Sequence, residues 1–221
     1  MGVINNVNKI DIGRLISIPI FTFFMTFNIN FVYRDIRALL PLDTGKAVGL
    51  IHHLLLVCFY ALIILLYFLR RPARLTNRSF PTKAIAILAT FTPFAIPILG
   101  GPGAINPKMV IISDLIIILG MALSIYSLRV LGKSFSIIPQ ARRLVQSGPY
   151  RLVRHPLYVS ELIAVFGVVL AGFTIIKLII YFFLIACQIY RAFQEEKLLA
   201  TVFPEYEEYR LRTACFIPSV F

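Results

Sequence analysis

The chain has 221 residues, of which 59% are hydrophobic and only 14% are charged, and its mean hydropathy is +0.85. Soluble domains are about 45–50% apolar and about 25% charged, so this composition excludes an ordinary soluble enzyme, a disordered protein and a disulfide scaffold. The net charge of +12 fits the basic cytoplasmic loops of a membrane protein. With no nucleic-acid-binding module or basic tract in the chain, we expect no nucleic-acid partner.

Six apolar runs follow one another along the chain, which predicts about six transmembrane helices at ~20 residues each. Only the turn Gly172–Thr174 separates the last two runs, so we expect them to form a tight helical hairpin. The predicted fold is an all-α membrane helix bundle with a cytoplasmic C-terminal helical segment. The predicted spans are Leu15–Val32 (interrupted by Asn28 and Asn30), Val48–Leu69, Ala84–Leu99, Met109–Leu131, Leu157–Ala171 and Ile175–Ile189.

The basic residues are unevenly distributed among the linkers, and this predicts the orientation. Arg70–Lys83 and Gly132–Pro156 each carry five Lys or Arg residues, whereas Gly100–Lys108 has one and Gly172–Thr174 has none. Because basic loops remain in the cytoplasm, we predict that both termini are cytoplasmic. The loop Tyr33–Ala47, with charges of both signs, is then predicted outside. We expect the membrane to be a bacterial inner membrane.

Two polar segments flank the predicted hairpin, Ser147–Tyr158 and Gln188–Tyr209. A helix rises ~1.5 Å per residue, so two antiparallel spans return the chain to its starting level. We therefore expect Arg154 and His155 to meet Glu195 and Glu196. Such a site suits a ligand that carries both charges, and the alternative is that these groups only pair with each other at a helix end.

Several further polar groups lie within the spans, where ionisable side chains are costly. Glu161 shares a face with Tyr158, and it is either an ion-pair partner of Arg129 or a group that acts on a substrate. We expect Asp114 to be a local anchor. Gln188, Arg191 and Glu195 form a stripe at helical spacing, and His52 and His53 are interfacial or core histidines. No metal-ligand spacing is visible, and we interpret the cysteines as reduced and structural: Cys58, Cys187 and Cys215.

An ordered set of short motifs resembles the isoprenylcysteine carboxyl methyltransferase and phospholipid methyltransferase group of integral membrane enzymes. The set is Gly148-Pro149-Tyr150, Arg154-His155-Pro156-Leu157-Tyr158, Glu195-Glu196, Tyr206-Glu207-Glu208-Tyr209 and Ile217-Pro218. The resemblance covers roughly residues 132–221. We accordingly divide the chain into residues 1–131, a four-helix transmembrane region, and residues 132–221, a methyltransferase-like region.

The resemblance implies S-adenosylmethionine as the cofactor and assigns His155, Tyr158, Glu195 and Glu196 to it. We add to that site Tyr150, Gln188 and Arg191. Arg154 would lie near the methyl acceptor or the cofactor carboxylate, and we predict it to be catalytic together with Glu161. The chain departs from the group at Pro204 and at Ser160-Glu161, where glycines are common, so the acceptor does not follow directly from the resemblance.

The chemistry leaves the acceptor open. A carboxylate acceptor needs only orientation and neutralisation, a role that suits Arg154, whereas an amine or thiol acceptor must lose a proton to a base such as Glu161. The acceptor is expected to be a membrane lipid or another hydrophobic or lipidated molecule, as in isoprenylcysteine carboxyl O-methylation or phospholipid N-methylation. The remaining alternatives are a sterol-reductase-like membrane reductase that uses NADPH and a membrane protein without enzymatic activity.

Overall fold

A computed structural model of the chain describes residues 12–40, 44–101, 103 and 106–218. Seven α-helices and two short strands account for most of these residues. The helices are α1 (Ile12–Ala38), α2 (Thr44–Leu69), α3 (Phe80–Leu99), α4 (Pro107–Leu131), α5 (Pro156–Leu170), α6 (Ile175–Val202) and α7 (Tyr206–Arg212). The strands are β1 (Leu75–Thr76) and β2 (Gln140–Ala141), and 3₁₀ turns occupy Gly132–Ser134 and Gly148–Arg151.

Each predicted apolar run is helical, but two helices extend well beyond the predicted bounds. Helix α1 continues past Val32 to Ala38, so part of the predicted loop Tyr33–Ala47 is helical, and Asp43 of that loop lies outside the described residues. Helix α6 continues past Ile189 to Val202. Hydropathy detects only the apolar part of a helix, whereas the helix itself continues until a breaking residue such as Pro204 approaches.

The described residues form an integral membrane helix bundle. Four helical segments are long and apolar enough to cross a bilayer, namely Thr44–Leu69, Phe80–Leu99, Lys108–Ser134 and Ile175–Val202. Helix α5 is apolar but has 15 residues, about 22 Å at the usual helical rise. The all-α membrane fold is thus confirmed, and the count of six spans stays a prediction.

Helices α4 and α5 pack closely against each other. A Cβ atom added to Gly120 would lie 2.4 Å from the backbone nitrogen of Ala164, and one added to Gly167 would lie 2.7 Å from the carbonyl oxygen of Ser113. Without side chains at these two positions, the helix backbones approach each other closely. The Ser124 hydroxyl also donates a hydrogen bond to Ser160 at 2.9 Å, and both side chains are buried.

The linkers are sorted between the two ends of the bundle. Strand β1 of the α2–α3 linker pairs antiparallel with β2 of the α4–α5 linker, so both basic linkers lie at one end, which we call the basic end. At the opposite end, Thr174 donates a hydrogen bond to the carbonyl of Gly100 at 2.9 Å. The two linkers rich in Lys and Arg therefore lie at one end of the bundle, and the two linkers poor in these residues lie at the other end, as the charge distribution predicts.

Candidate functional site

The α5–α6 hairpin brings the two predicted polar clusters together at the basic end. Arg154 Nε lies 2.8 Å from Glu196 Oε1, and His155 Nε2 lies 3.1 Å from the same oxygen. Arg154 also donates hydrogen bonds to the backbone carbonyls of Arg210 and Thr213. The guanidinium is thus held by both α6 and the C-terminal segment.

Local backbone structure places His155 at the start of α5. Pro156 occupies the first turn of the helix and leaves the preceding His155 in a non-helical conformation, as expected for a residue before proline. The backbone amides of Arg154 and His155 donate to the carbonyls of Ala214 and Cys215 at 2.8 and 3.2 Å. The C-terminal segment therefore fixes the position of both side chains.

Glu195 has different partners from its neighbour Glu196. The Tyr158 hydroxyl donates to Glu195 Oε1 at 2.5 Å, and Arg191 Nε lies 3.6 Å from that oxygen. The Arg191 guanidinium lies 4.7 Å from the centre of the Tyr158 ring and donates to the carbonyl of Ser136 at 3.1 Å. Both Tyr158 and Arg191 are buried, so Glu195 is positioned by side chains that cannot easily rearrange.

Glu161 pairs with a residue that the sequence did not indicate as its partner. Gln188 donates to Glu161 Oε2 at 2.9 Å, whereas the side chain of Arg129 is exposed. Of the two alternatives for Glu161, the ion pair with Arg129 is therefore wrong. Residue spacing along one helix shows which side chains share a face, but it does not show which of the other helices that face contacts.

A cavity of about 740 Å³ of empty space opens at the basic end beside these residues. Glu196, Gln188 and Glu161 are not among its lining residues. Six of the predicted site residues do line it: Tyr150, Arg154, His155, Tyr158, Arg191 and Glu195.

The rest of the cavity wall comes mainly from residues 134–145 of the α4–α5 linker, none of which was predicted for the site. Its contribution includes Ser134, Ser136, Gln140 and Arg143, and Tyr209 of α7 closes one side. Tyr209 is buried and donates to the carbonyl of Tyr150 at 2.6 Å. The Tyr-x-x-Tyr motif was the signal that could have found Tyr209, but the linker residues carry no comparable pattern.

Two polar atoms in the cavity wall lack hydrogen-bond partners among the described residues. They are the hydroxyl of Tyr150 and Nε of Arg191, both buried. Burial, followed by the negative charge of Glu195, raises the pKa of Tyr150 well above its ordinary value, so its hydroxyl remains a donor. Because buried polar groups are almost always paired, these atoms fit a site whose polar ligand completes the hydrogen bonding.

His155, Glu196 and Cys215 place one potential ligand atom each within 4.8 Å of one another. Arg154 contacts the same Glu196 oxygen as His155, and this fixed positive charge disfavours a cation at that point. Burial, and then the charge of Glu196, raises the pKa of Cys215 to about 11. The thiol is therefore protonated near neutral pH, and the expectation of no metal stays a prediction. Cys58, Cys187 and Cys215 are all free thiols.

Two further histidine–carboxylate pairs lie away from this cavity, on helices α1, α2 and α4. His52 Nδ1 lies 3.1 Å from Asp114 Oδ1, and His53 Nδ1 lies 2.7 Å from Asp35 Oδ2. The two imidazole rings stack with their centroids 5.0 Å apart. Asp114 thus anchors α4 to α2, as expected, and Asp35 joins α1 to α2.

Comparison with known proteins extends the resemblance seen in the motifs. A family model described as phospholipid methyltransferase matches residues 109–206. A cobalt-zinc-cadmium resistance protein of Cupriavidus metallidurans is 40% identical over 82 residues, which cover 35% of this chain and 36% of that protein. A nickel-cobalt-cadmium resistance protein of Alcaligenes xylosoxydans xylosoxydans is 33% identical over 84 residues, which cover 37% of this chain and 38% of that protein.

These matches span little more than a third of the length of either relative. The family match, in contrast, extends from α4 to the start of α7 and contains every predicted site residue. It also crosses residue 131, so the division of the chain at that point stays a prediction. Over residues 109–206, a little under half of the chain, the protein is therefore similar to the phospholipid methyltransferase family.

Proposed function

We propose that the protein is an integral membrane methyltransferase that uses S-adenosylmethionine and acts on a hydrophobic or lipid-like acceptor. The observation that carries this proposal is the cavity at the basic end, which lies within the family-matched segment and presents groups of both charges. S-adenosylmethionine carries an ammonium, a carboxylate, a sulfonium and ribose hydroxyls. A site that offers a carboxylate beside cationic and phenolic donors matches those groups.

Different residues of the cavity wall would bind different groups of this cofactor. Glu195 would accept from the ammonium or the ribose hydroxyls, while His155 and the unpaired Tyr150 hydroxyl would donate to the carboxylate. Tyr158 and Arg191 hold Glu195 in position. Glu196 and Gln188 do not line the cavity, and we assign them to the orientation of His155, Arg154 and Glu161.

When bound, the cofactor would supply an electrophilic methyl group on its sulfonium for in-line transfer to the acceptor, with the thioether S-adenosylhomocysteine as the leaving group. The protein accelerates such a displacement mainly by positioning the two reactants. Arg154 is a fixed cation in the cavity wall, because three acceptors from α6 and the C-terminal segment hold its guanidinium. It is suited to orient an anionic acceptor or the carboxylate of the cofactor.

We place Glu161 on the acceptor side of the site. It lies one turn into α5 beyond the cavity wall, and its carboxylate oxygen Oε2 accepts from Gln188. Oε1 has no hydrogen bond or ion pair with any described side chain. A carboxylate at this depth could take a proton from an amine or a thiol acceptor. A carboxylate acceptor would have no need of it.

Isothermal titration of the detergent-solubilised protein with S-adenosylmethionine and, separately, with NADPH tests the cofactor. We expect saturable binding of S-adenosylmethionine only. Binding of NADPH instead would indicate the reductase alternative, and binding of neither would favour a protein without this enzymatic role. Incubation with methyl-labelled S-adenosylmethionine and a bacterial membrane lipid extract, followed by identification of the labelled product, then reveals the acceptor.

We further propose that the basic end and both termini face the cytoplasm of a bacterial inner membrane. The proposal follows from the excess of Lys and Arg in the two linkers that β1 and β2 join. Reporter fusions after Lys108 and after Phe221 should report opposite sides of the membrane. If both report the same side, the proposed topology is wrong.

A further inference from the structure

Gln140 of strand β2 lines the cavity at the basic end, and the pairing of β2 with β1 fixes its backbone. The amides of Arg74 and Asn77 donate to the carbonyls of Ala141 and Pro139, on either side of Gln140, at 2.8 and 3.2 Å. Successive side chains of a strand point to opposite faces. Ala141 is accordingly buried in the core, whereas Gln140 is half-buried and faces the cavity.

Two donors fix the orientation of the Gln140 side-chain amide. Ser136 Oγ donates to Gln140 Oε1 at 2.9 Å, and Arg142 Nη2 donates to the same oxygen at 2.5 Å. Because a guanidinium can only donate hydrogen bonds, the amide atom that faces Arg142 must be the oxygen. An amide oxygen has two lone pairs, and these two hydrogen bonds use both. The nitrogen Nε2 is therefore the part of the amide that remains for a ligand.

The side-chain nitrogen of Gln140 has no hydrogen-bond acceptor among the described residues. Its two N–H groups add a half-buried donor to the buried, unpaired groups of Tyr150 and Arg191 in the same wall. Because both lone pairs of Oε1 are in use, Gln140 presents donors to the cavity and no acceptor. A ligand atom that contacts this amide must therefore be a hydrogen-bond acceptor.

The stretch of cavity wall that contains Gln140 is mostly uncharged. Apart from Arg143, the cavity-lining residues between positions 134 and 145 are neutral, namely Ser134, Phe135, Ser136, Gln140, Leu144 and Val145. The charged groups of Arg154, Arg191 and Glu195 come from other segments. Within S-adenosylmethionine, the uncharged group is the adenine, which combines flat apolar faces with ring nitrogens that accept hydrogen bonds. This part of the wall therefore suits the adenine.

We propose that Gln140 is a specificity-determining residue of the cofactor site and that its Nε2 donates a hydrogen bond to a ring nitrogen of the adenine. The inference rests on the proposed function and deepens it, because it names the residue that recognises the base and the kind of atom that it recognises. The 6-amino group of adenine is a donor, so an amide that offers only donors does not recognise it. Binding should thus depend on one ring nitrogen.

Gln140→Glu tests the direction of this hydrogen bond. The substitution keeps an oxygen that accepts from Ser136 and Arg142, but it replaces the N–H donors with a second acceptor oxygen, so a purely structural role would be preserved. We expect the affinity for S-adenosylhomocysteine, measured by calorimetry in detergent, to fall about 10-fold, with an unchanged melting temperature. Gln146→Glu is the matched control, since Gln146 is equally half-buried in the same linker but does not line this cavity. Unchanged affinity in Gln140→Glu, or an equal loss in the control, would overturn the proposal.

The recognised atom is tested with the 1-deaza, 3-deaza and 7-deaza analogues of S-adenosylhomocysteine, each of which replaces one ring nitrogen of the adenine with C–H. We expect one of the three to bind the unsubstituted protein about 5- to 10-fold more weakly than the parent compound, and Gln140→Glu to lose that preference. The first measurement needs no variant and stays decisive if Gln140→Glu does not fold. Three analogues that all bind as tightly as the parent compound, or a preference that Gln140→Glu retains, would overturn the assignment.

Binding of the parent compounds separates this inference from the proposed function. If neither S-adenosylmethionine nor S-adenosylhomocysteine binds the unsubstituted protein, the proposed function fails and the role of Gln140 fails with it. If both bind saturably and Gln140→Glu binds them equally well, only the role of Gln140 is rejected. We expect saturable binding to the unsubstituted protein and weakened binding to the variant.

Discussion

Histidine–carboxylate pairs occur in two regions of this molecule, and the pairs are almost identical in distance. His155 and Glu196 are 3.1 Å apart at the basic end, and His52 and Asp114 are also 3.1 Å apart on α2 and α4. The difference lies in their surroundings. The first pair adjoins a cavity with unsatisfied donors and a second carboxylate, Glu195, whereas neither His52 nor Asp114 lines that cavity.

The comparison shows that such a pair is not by itself a functional site. Within a bundle it can serve only to join two helices, as His52 and Asp114 do. A site also needs space for a ligand and polar groups that the protein leaves unpaired. Substitutions in the two regions can therefore distinguish residues that bind the ligand from residues that only hold two helices together.

The largest effect is expected from Glu161→Gln. If Glu161 removes a proton from the acceptor, turnover should fall by ~10²–10⁴, with the affinity for S-adenosylmethionine and the melting temperature nearly unchanged. Methyl transfer to the identified acceptor, measured beside calorimetry and a melting curve, checks this. Gln188→Leu is the control, because it removes the hydrogen-bond partner of Glu161 but leaves the carboxylate. A Glu161→Gln variant that turns over normally per folded molecule would eliminate the proposed role.

The next largest effect is expected in cofactor affinity. Glu195→Ala and His155→Ala each remove a charged or polar partner from the cavity wall, which costs ~1.5–3 kcal/mol, or roughly 10- to 150-fold in affinity for S-adenosylmethionine. Asp35→Asn and Asp114→Asn change the other region and should leave that affinity unchanged. Titration calorimetry on all four variants makes the comparison. Equal losses of affinity for the variants of both regions would mean that the affinity depends only on whether the bundle is intact.

A smaller effect is expected for stability at the α4–α5 interface, which connects the two regions. Gly120→Ala places a methyl group 2.4 Å from the backbone of Ala164 and should destabilise the fold by ~1–3 kcal/mol through overpacking. Gly49→Ala on α2 is the control, since nothing lies within 4 Å of its added Cβ. That control should be neutral or stabilising by about 0.5–1 kcal/mol. Unfolding curves in denaturant compare the two, and equal stabilities would contradict the packing described for α4 and α5.

The smallest effect concerns the reactivity of Cys215. With its pKa raised to about 11, the thiol should react slowly with iodoacetamide near neutral pH, and the rate should rise about tenfold per pH unit between pH 7 and 9 because only the thiolate reacts. Burial is the larger cause of the shift and the charge of Glu196 the smaller. Glu196→Gln should therefore lower the pKa and raise the rate at pH 8, roughly tenfold or less. The assay is done in a protein that also carries Cys58→Ala and Cys187→Ala, so that only Cys215 can react. A reaction rate that no longer rises with pH above pH 8 would contradict the raised pKa.

Much of the architecture could be predicted because it depends on local properties. The apolar runs mark helices of the membrane bundle, and the short turn Gly172–Thr174 forces α5 and α6 to be neighbours. That constraint brings Arg154 and His155 to the level of Glu196, and the C-terminal segment then fixes their position. Helix α6 extends past the predicted apolar span, because its last turns are amphipathic and carry the polar stripe of Gln188, Arg191 and Glu195.

The amino-acid sequence by itself determined the membrane class, the hairpin and the resemblance to a methyltransferase family, because hydropathy and ordered motifs are properties of contiguous residues. Tertiary structure alone decided that Glu195 lines the cavity while the adjacent Glu196 binds Arg154 and His155. It also decided that Glu161 bonds Gln188 and that the linker from Ser134 to Val145 forms a wall of the site. Successive residues on a helix point about 100° apart, so neighbours in sequence contact different elements, and which elements those are depends on how the helices pack.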